Sequence, residues 1–286
     1  MSRAVVTMAP AKINLTLEVL GRRPDGYHEI ASVFATVGLW DRVRVAPAGR
    51  LDVRIAPPLA LHGGDDLAAL AVRALADACG RPPAAYVRVR KRIPVAAGLG
   101  GGSSDAGAVL RGLARAWRRE GMDLAAVGAR VGSDVPFFAS AAAWALVRGR
   151  GERLEPLPAP AETIWIVLVR LAVGVRTADV FRAHRAAASR GERSAALAAM
   201  LREGRATAEA MRGHLANDLL DAAERVAPAI ARARATAAAL GTELTLSGSG
   251  PSLFALADDR ASALRIGRRL RRGGLRARAF ALGVSP

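Results

Sequence analysis

A run of glycines and serines ahead of a predicted helix is the segment of this chain with the clearest chemistry. Residues 94–105 read PVAAGLGGGSSD, with glycines at positions 98, 100, 101 and 102. Glycine permits positive φ and lets another group approach the backbone closely. The N–H groups of such a loop can converge on an anion, and the start of the following helix adds unpaired donors. The segment therefore predicts a phosphate-binding loop, with either Ser103 or Ser104 as the side chain that caps the helix.

Two common nucleotide-binding motifs do not fit this loop. A Walker A sequence needs Gly-Lys-Ser/Thr, and no lysine follows the glycines. The dinucleotide fingerprint Gly-x-Gly-x-x-Gly begins with Gly98 and Gly100 but meets Ser103 at its third glycine position. The loop is thus a different kind of phosphate site, and the alternative is a plain turn before a helix.

Lysine is scarce in this chain, which makes each lysine informative. Of the 42 basic residues only Lys12 and Lys91 are lysines, and the rest are arginines. A compact ammonium can bridge a hydroxyl and a phosphate where a planar guanidinium does not fit. Asn14 follows Lys12 at a spacing of two, which places both side chains on one face of a strand. The alternatives are a solvated lysine and an edge-strand asparagine.

Two further segments combine turn residues with reactive side chains. Asp134 lies in the sequence Gly-Ser-Asp-Val-Pro after a predicted helix, where its carboxylate could simply accept hydrogen bonds from the turn backbone. Tyr27 and His28 follow Asp25-Gly26, a strong turn signal. Taken alone, the tyrosine is as consistent with a turn aromatic that covers an apolar patch.

The segment GLGGGSS resembles the ATP-binding motif of the GHMP kinases, the superfamily of galactokinase and of the homoserine, mevalonate and phosphomevalonate kinases. Four other blocks narrow the resemblance: APAKIN at 9–14, RPDGYH at 23–28, GSDVPF at 132–137 and LSGSGP at 246–251. They occur, in this order and over nearly the whole chain, in the branch that phosphorylates a hydroxyl of cytidine-diphosphate-linked methylerythritol in the non-mevalonate isoprenoid pathway. Another GHMP small-molecule kinase, of the homoserine or mevalonate type, is the alternative.

The resemblance implies catalytic roles for Lys12 and Asp134. Lys12 would stabilise charge on the transferring phosphoryl group, and Asp134 would accept the proton of the substrate hydroxyl. ATP would lie against the residues of the glycine loop, which are Pro94, Val95, Ala96, Ala97, Gly98, Leu99, Gly100, Gly101, Gly102, Ser103 and Ser104. Mg²⁺ would accompany ATP; the sequence does not assign its ligands, for which Ser103 or Ser104 and water are candidates.

The resemblance also implies a substrate-binding set. Tyr27 would stack on the cytosine, His28 would hydrogen-bond the edge of the base, and Asn14 would contact a polar group of the substrate. Phe181 matches a second aromatic against the base, with core packing as an equal alternative. Gly248 and Ser249 would turn backbone N–H groups toward the substrate phosphates. Two neighbouring features complete the pattern: Asn217-Asp218-Leu219, interpreted as helix capping, and Asp66-Leu67 near the adenine, where the family commonly has Asn-Leu.

The elements that must position these residues indicate an α+β protein of two domains. Strands are predicted over 3–9, 13–20 and 86–92, a helix over 104–118, and a proline-rich linker over 153–163. The later order of strand, helices, two strands, helix and strand is typical of a ferredoxin-like fold. The resemblance adds a GHMP kinase fold with an N-terminal ribosomal-protein-like domain over 1–158 and a C-terminal ferredoxin-like domain over 159–286, and the ligands between them.

Composition limits the remaining classes of function. The formal charge of +17 invites a nucleic-acid reading, but aromatic residues make up only 4% and the basic residues are spread along the chain. The single cysteine excludes a disulfide framework. No apolar stretch reaches the roughly 20 residues of a membrane span. We expect a cytoplasmic enzyme with a small-molecule substrate and without nucleic-acid or membrane partners; the sequence leaves the oligomeric state open.

Overall fold

The computed structural model describes residues 4–57, 66–185 and 187–285, and within these ranges the strands form two sheets. The larger sheet contains eight strands and the smaller one four. The larger sheet is built from β1 (Val5–Asn14), β2 (Thr16–Arg22), β3 (His28–Pro47), β4 (Asp52–Ala56), β5 (Ala85–Arg90), β6 (Trp144–Gly149), β7 (Arg153–Pro156) and β9 (Ala216–Asn217).

The long strand β3 is the spine of the larger sheet, because it pairs antiparallel with β1, β2, β5 and β6. Its β-branched and aromatic residues favour an extended backbone. The register of β1 on β3 shifts between Pro10 and Ala11, where proline has no N–H to donate to the ladder. The predicted division into strands at 3–9 and 13–20 is wrong: β1 continues through Pro10 to Asn14, and residue 3 lies outside the described residues.

Helices cover one face of the larger sheet and fill its core. They are α1 (Leu67–Ala78), α2 (Gly101–Ala116), α3 (Leu124–Ala129) and α4 (Val135–Ala139). Leu110 and Leu113 of α2 are fully buried with Val43 and Val87 of the sheet. Helix α2 begins three residues before its predicted start at 104, so the last two glycines of the loop form its first turn.

The smaller sheet has the strand order and chain order of a ferredoxin-like fold. It consists of β8 (Trp165–Arg170), β10 (Thr245–Leu246), β11 (Leu253–Ala257) and β12 (Arg276–Ala281), in the order β10-β11-β8-β12 and antiparallel throughout. The helices of this half are α5 (Thr177–Ala183), α6 (Glu192–Arg202), α7 (Ala208–Arg212), α8 (Leu220–Val226), α9 (Ala229–Ala239) and α10 (Arg260–Arg272).

The segment that joins the two sheets is more closely tied to the first sheet than a linker would be. Part of the predicted linker is strand β7, which pairs with β6. The chain changes sheet between Pro156 and Trp165, around the predicted boundary at residue 158. Later segments return to the first sheet, since β9 pairs with β2 and Leu282 bridges Val37. The exact domain limits stay a prediction.

None of the described helices combines the length and the apolar character that a bilayer crossing requires.

Candidate active site

A buried ammonium and a carboxylate face each other in the cleft between the two halves of the chain. Lys12 Nζ lies 3.4 Å from Asp134 Oδ2, and the lysine is 4% exposed. The same ammonium donates to Asn14 Oδ1 at 2.7 Å, so the two side chains share one face of β1 as their spacing predicts. Asn14 in turn donates to Ser32 Oγ at 2.9 Å. The ammonium of Lys12 is therefore held by one carboxylate, that of Asp134, and by the amide oxygen of Asn14.

Asp134 is free to use its carboxylate because it does not cap the short helix that it precedes. It is the N-cap residue of α4, yet its side chain makes no capping hydrogen bond. The simple turn interpretation of this residue is therefore wrong. The side chain retains about 29% exposure and lines the cleft together with Lys12, so a reacting group in the cleft can approach both side chains.

The glycine loop runs directly beside the lysine. The backbone N–H of Lys12 donates to the Leu99 carbonyl at 3.0 Å. Gly100 has a φ of +67°, and a Cβ at this position would lie 3.0 Å from Lys12 Cγ. Glycine is required here by close packing against Lys12 of β1 and against Phe138, in addition to any approach of a phosphate.

The serines after the glycines do not cap helix α2, contrary to the prediction. The N-cap residue is Gly100, which has no side chain to offer. Ser103 lines the cleft, whereas Ser104 is fully buried with an Oγ that has no hydrogen-bond partner. The free N–H groups of this helix start remain available for an anion.

The predicted substrate residues line the other end of the same cleft. The rings of His28 and Phe181 are stacked, with centroids 4.9 Å apart and an interplanar angle of 28°. Tyr27, 54% exposed, also lines the cleft. Burial, with smaller contributions from His184 and Arg22, lowers the pKa of His28 below its ordinary value. A neutral imidazole can both donate and accept, which suits the edge of a nucleobase.

The hairpin turn between β10 and β11 brings Gly248 and Ser249 to the cleft. Gly248 has a φ of +58°, and Ser249 Oγ is 2.9 Å from Thr177 Oγ1. Asn217 fastens the turn, because its Nδ2 donates to the carbonyls of Leu246 and Gly248 at 2.9 and 2.8 Å.

The 217–219 segment keeps part of its predicted capping role, because Asn217 Oδ1 accepts the backbone N–H of Leu219 at 3.0 Å at the start of α8, and it also has a tethering role. Asp218 accepts from the backbone N–H of Val19 at 2.8 Å and from Ser189 Oγ at 2.6 Å. These contacts hold the start of α8 against β2. The N-cap residue of that helix is Leu219, whose side chain makes no capping bond.

Sequence reasoning missed a buried ionic cluster beneath the glycine loop. Lys91 Nζ lies 2.6 Å from Asp41 Oδ2 and 2.5 Å from Asp105 Oδ2, and all three side chains are buried. Burial raises the pKa of Asp105 to about 8, against the lowering effect of Lys91, and Asp41 adds to the rise. Burial lowers the pKa of Lys91, but the two carboxylates outweigh it and the net direction is upward. The scarcity of lysine was the one available signal.

This cluster joins three elements around the nucleotide loop. Asp41 Oδ1 on β3 accepts the backbone N–H groups of Arg92 and Ile93, which follow β5. Asp105 belongs to α2, and a Cβ on Gly101 would lie 3.3 Å from Lys91 Nζ. The ion pair between Lys91 and Asp105 therefore holds the start of α2, which also lines the cleft.

Asp66 caps helix α1 by accepting from the backbone N–H of Ala68 at 2.9 Å, and it also lines the cleft. A carboxylate caps a helix as well as an amide does, so the cap does not require the asparagine that the family commonly has here. No group of three or more histidine, cysteine or acidic side chains with the geometry of a metal site occurs in the described ranges.

Comparisons with known proteins agree with this arrangement. The family description "GHMP kinases N terminal domain" matches residues 66–142, and "GHMP kinases C terminal" matches residues 195–275. The chain therefore belongs to the GHMP kinases, a class of small-molecule kinases that use ATP.

Relatives of similar length show which branch of the GHMP kinases the chain belongs to. A 4-diphosphocytidyl-2-C-methyl-D-erythritol kinase from Symbiobacterium thermophilum is 42% identical over 270 residues, which cover 91% of this chain and 93% of the relative. One from Paramagnetospirillum magneticum is 38% identical over 273 residues, covering 91% and 92%. This chain is a member of the 4-diphosphocytidyl-2-C-methyl-D-erythritol kinase family.

Solved structures give the same result. A crystal structure of 4-(cytidine 5'-diphospho)-2C-methyl-D-erythritol kinase superposes with a TM-score of 0.77 at 36% identity, over 98% of this chain and 100% of the other. A homoserine kinase from Cytophaga hutchinsonii reaches a TM-score of 0.75 at 17% identity, covering 100% and 96%, which shows the shared fold. The predicted two-domain α+β GHMP kinase fold is confirmed.

Proposed function

We propose that this kinase transfers the γ-phosphoryl group of ATP to the 2-hydroxyl of 4-diphosphocytidyl-2-C-methyl-D-erythritol, a step of the non-mevalonate isoprenoid pathway. The observation that supports it best is the position of the Lys12–Asp134 pair. The pair lies at 3.4 Å between the glycine loop and the Tyr27 end of the cleft. A phosphoryl donor and a nucleotide-linked acceptor can meet there.

In this reaction Asp134 accepts the proton of the substrate hydroxyl while the hydroxyl oxygen forms a bond to the γ-phosphorus. The bond between the γ-phosphorus and the β–γ bridging oxygen breaks, and ADP leaves. Lys12 stabilises the negative charge that spreads over the transferring group. Since phosphoryl transfer has a loose transition state, positioning by Lys12 and Asn14 matters more than the basicity of Asp134.

The glycine loop holds the phosphates of ATP through backbone N–H groups at the start of α2. Mg²⁺ usually keeps several water ligands and needs only one or two protein oxygens beside the phosphates. The hydroxyl of Ser103, which lines the cleft, fits such a role, whereas the fully buried Ser104 is not among the residues that line it. Mg²⁺ would supply charge neutralisation at the β- and γ-phosphates.

At the acceptor end, Tyr27 and the stacked pair of His28 and Phe181 provide flat surfaces for a pyrimidine. Aromatic stacking on a base contributes about 1–3 kcal/mol. Backbone groups of Gly248 and Ser249 face the phosphates that link the base to the acceptor alcohol. A cytoplasmic location of the enzyme stays a prediction.

The test is an ADP-release assay with four acceptors: the cytidine-linked methylerythritol, homoserine, mevalonate and galactose. We expect turnover with the first and background rates with the others. Turnover of only one of the other three would reject this acceptor and place the chain in another branch of the superfamily.

A further inference from the structure

The turn between β6 and β7 places an arginine against the exposed tyrosine of the substrate cleft. Arg150 Cζ lies 4.9 Å from the centroid of the Tyr27 ring, and both side chains line the cleft. Arg150 is half-buried, and no carboxylate oxygen of the described residues lies within 4 Å of its guanidinium. A cation–π contact uses the face of the guanidinium, so the N–H donors at its edge stay available for a ligand.

The same turn reaches the catalytic aspartate. Gly151 has a φ of +125°, and a Cβ there would lie 3.2 Å from the Ser133 carbonyl and 3.4 Å from Asp134 Oδ1. The carboxylate of Glu152 accepts the backbone N–H of Arg150 at 2.6 Å. The turn therefore places Arg150 beside Tyr27 and the next residue, Gly151, beside Asp134.

The chemistry of the substrate indicates which of its groups lies between Tyr27 and Asp134. If the base lies at Tyr27 and the acceptor hydroxyl at Asp134, the diphosphate that joins them must pass between these two residues. A guanidinium is the side chain best suited to a phosphate, since its planar donors can bind two oxygens at once. This step rests on the proposed function for the direction of the substrate.

We propose that Arg150 is a specificity-determining residue that binds the diphosphate of the substrate from its position on Tyr27. It makes the site selective for nucleoside diphosphates over uncharged nucleosides. Arg148, two residues earlier on β6, provides a matched control, because it is exposed, lies outside the cleft and is 3.9 Å from Glu155.

The experiment is a calorimetric titration of wild type, Arg150→Gln and Arg148→Gln with cytidine, CMP and CDP. Glutamine keeps a planar group on the tyrosine and removes the charge. We expect Arg150→Gln to weaken CDP binding by about tenfold or more, as befits loss of a charged hydrogen bond. Cytidine binding should be unchanged, and Arg148→Gln should behave like wild type with all three ligands.

An equal loss for cytidine and CDP would overturn the proposal, since it would reduce Arg150 to a support for the tyrosine ring. Unchanged CDP binding would overturn it as well. If Arg150→Gln fails to fold, Arg150→Lys answers the same question: loss of the two-oxygen contact should weaken CDP binding and leave cytidine binding unchanged, and a loss equal for cytidine and CDP would contradict the proposal. In the kinase assay, Arg150→Gln should raise KM for the acceptor and leave kcat and KM for ATP near wild type.

The assay with wild type separates this inference from the proposed function. Absence of turnover with the cytidine-linked acceptor, combined with CDP binding that depends on Arg150, would remove the proposed reaction and leave a nucleoside-diphosphate site. Absence of any CDP binding by wild type would remove both.

Discussion

The hydroxyl of Ser247 donates a hydrogen bond of 3.1 Å to the carbonyl of Gly98. These residues belong to the two loops that the sequence singled out as phosphate-binding, and 149 positions separate them. A Cβ on Gly98 would lie 2.4 Å from the Ser247 carbonyl oxygen. The glycine loop of the first half and the turn at 246–251 of the second half are thus in direct contact.

The contact between the two loops predicts a large effect of Gly98→Ala. The residue has a φ of +72°, and the added methyl group would collide with backbone. We expect a loss of stability of about 2 kcal/mol or more, and weaker binding of both ATP and the acceptor. Urea denaturation measures the loss of stability, and the KM values for ATP and for the acceptor measure the weaker binding.

Gly80→Ala is the matched control for this prediction. Gly80 has a similar φ of +62°, but nothing lies within 4 Å of the position of a Cβ. It should show only the conformational cost of about 1 kcal/mol. Equal losses in the two variants would mean that strain alone, without loop contact, accounts for the effect.

The Lys12–Asp134 pair predicts a loss of rate more than of binding. Lys12→Ala and Asp134→Ala should each lower kcat by about 100-fold or more. Lys12→Arg keeps the charge but replaces the compact ammonium that fits between Asn14 and Asp134, so it should also be impaired. Initial rates at saturating substrates give kcat; a near-wild-type value in any one variant would remove that residue from its role.

The cluster beneath the glycine loop predicts that Lys91→Met destabilises the protein. The substitution leaves the buried Asp41 carboxylate without its cation, which costs about 3–5 kcal/mol. Because Lys91 also holds the start of α2, KM for ATP should rise while KM for the acceptor changes little. Urea denaturation and steady-state kinetics are the measurements.

An exposed ion pair supplies the comparison for Lys91. Arg54 pairs with Asp52 at 2.9 Å on the surface, where solvent screens the charges, and Arg54→Gln should leave the stability nearly unchanged. If Lys91→Met were no more destabilising than Arg54→Gln, the cluster would not support the loop.

The lowered pKa of His28 predicts the pH dependence of acceptor binding. Burial, His184 and Arg22 all favour the neutral imidazole, so it persists below the ordinary pKa of 6.5. As pH falls further, protonation removes the acceptor nitrogen, and KM for the cytidine-linked acceptor should rise. Since the unfolded chain protonates first, His28 also contributes stability above pH 6.5 that is lost as the pH falls.

A pH series of acceptor KM for wild type and His28→Gln tests this prediction. The variant should show a flatter acid limb, with KM for ATP serving as an internal reference. An acid limb of the same steepness in both proteins would assign the titration to another group.

The sequence revealed those motifs whose chemistry depends on residues that lie close together in the chain. Lys12 and Asn14 share a face because a strand has a period of two, and this holds whatever the strand packs against. The glycine loop depends in the same way on local backbone freedom. Element bounds were less accurate: α2 starts at Gly101 rather than 104, and β7 occupies part of the predicted linker.

Tertiary structure alone assembled the rest of the site. Nothing in the spacing of Asp41, Lys91 and Asp105 indicates that they meet, because β3, β5 and α2 come together only when the sheet packs on the helix. The same applies to Arg150 on Tyr27 and to Asn217 on the turn at Gly248.

The sequence by itself determined the family and predicted Lys12 and Asp134 as the catalytic pair, since both follow from motifs of neighbouring residues. The tertiary structure decided which charges are buried, which pKa values shift and which loops touch. Those properties depend on desolvation and on distances between residues far apart in the chain, and both exist only after the two sheets have packed around one cleft.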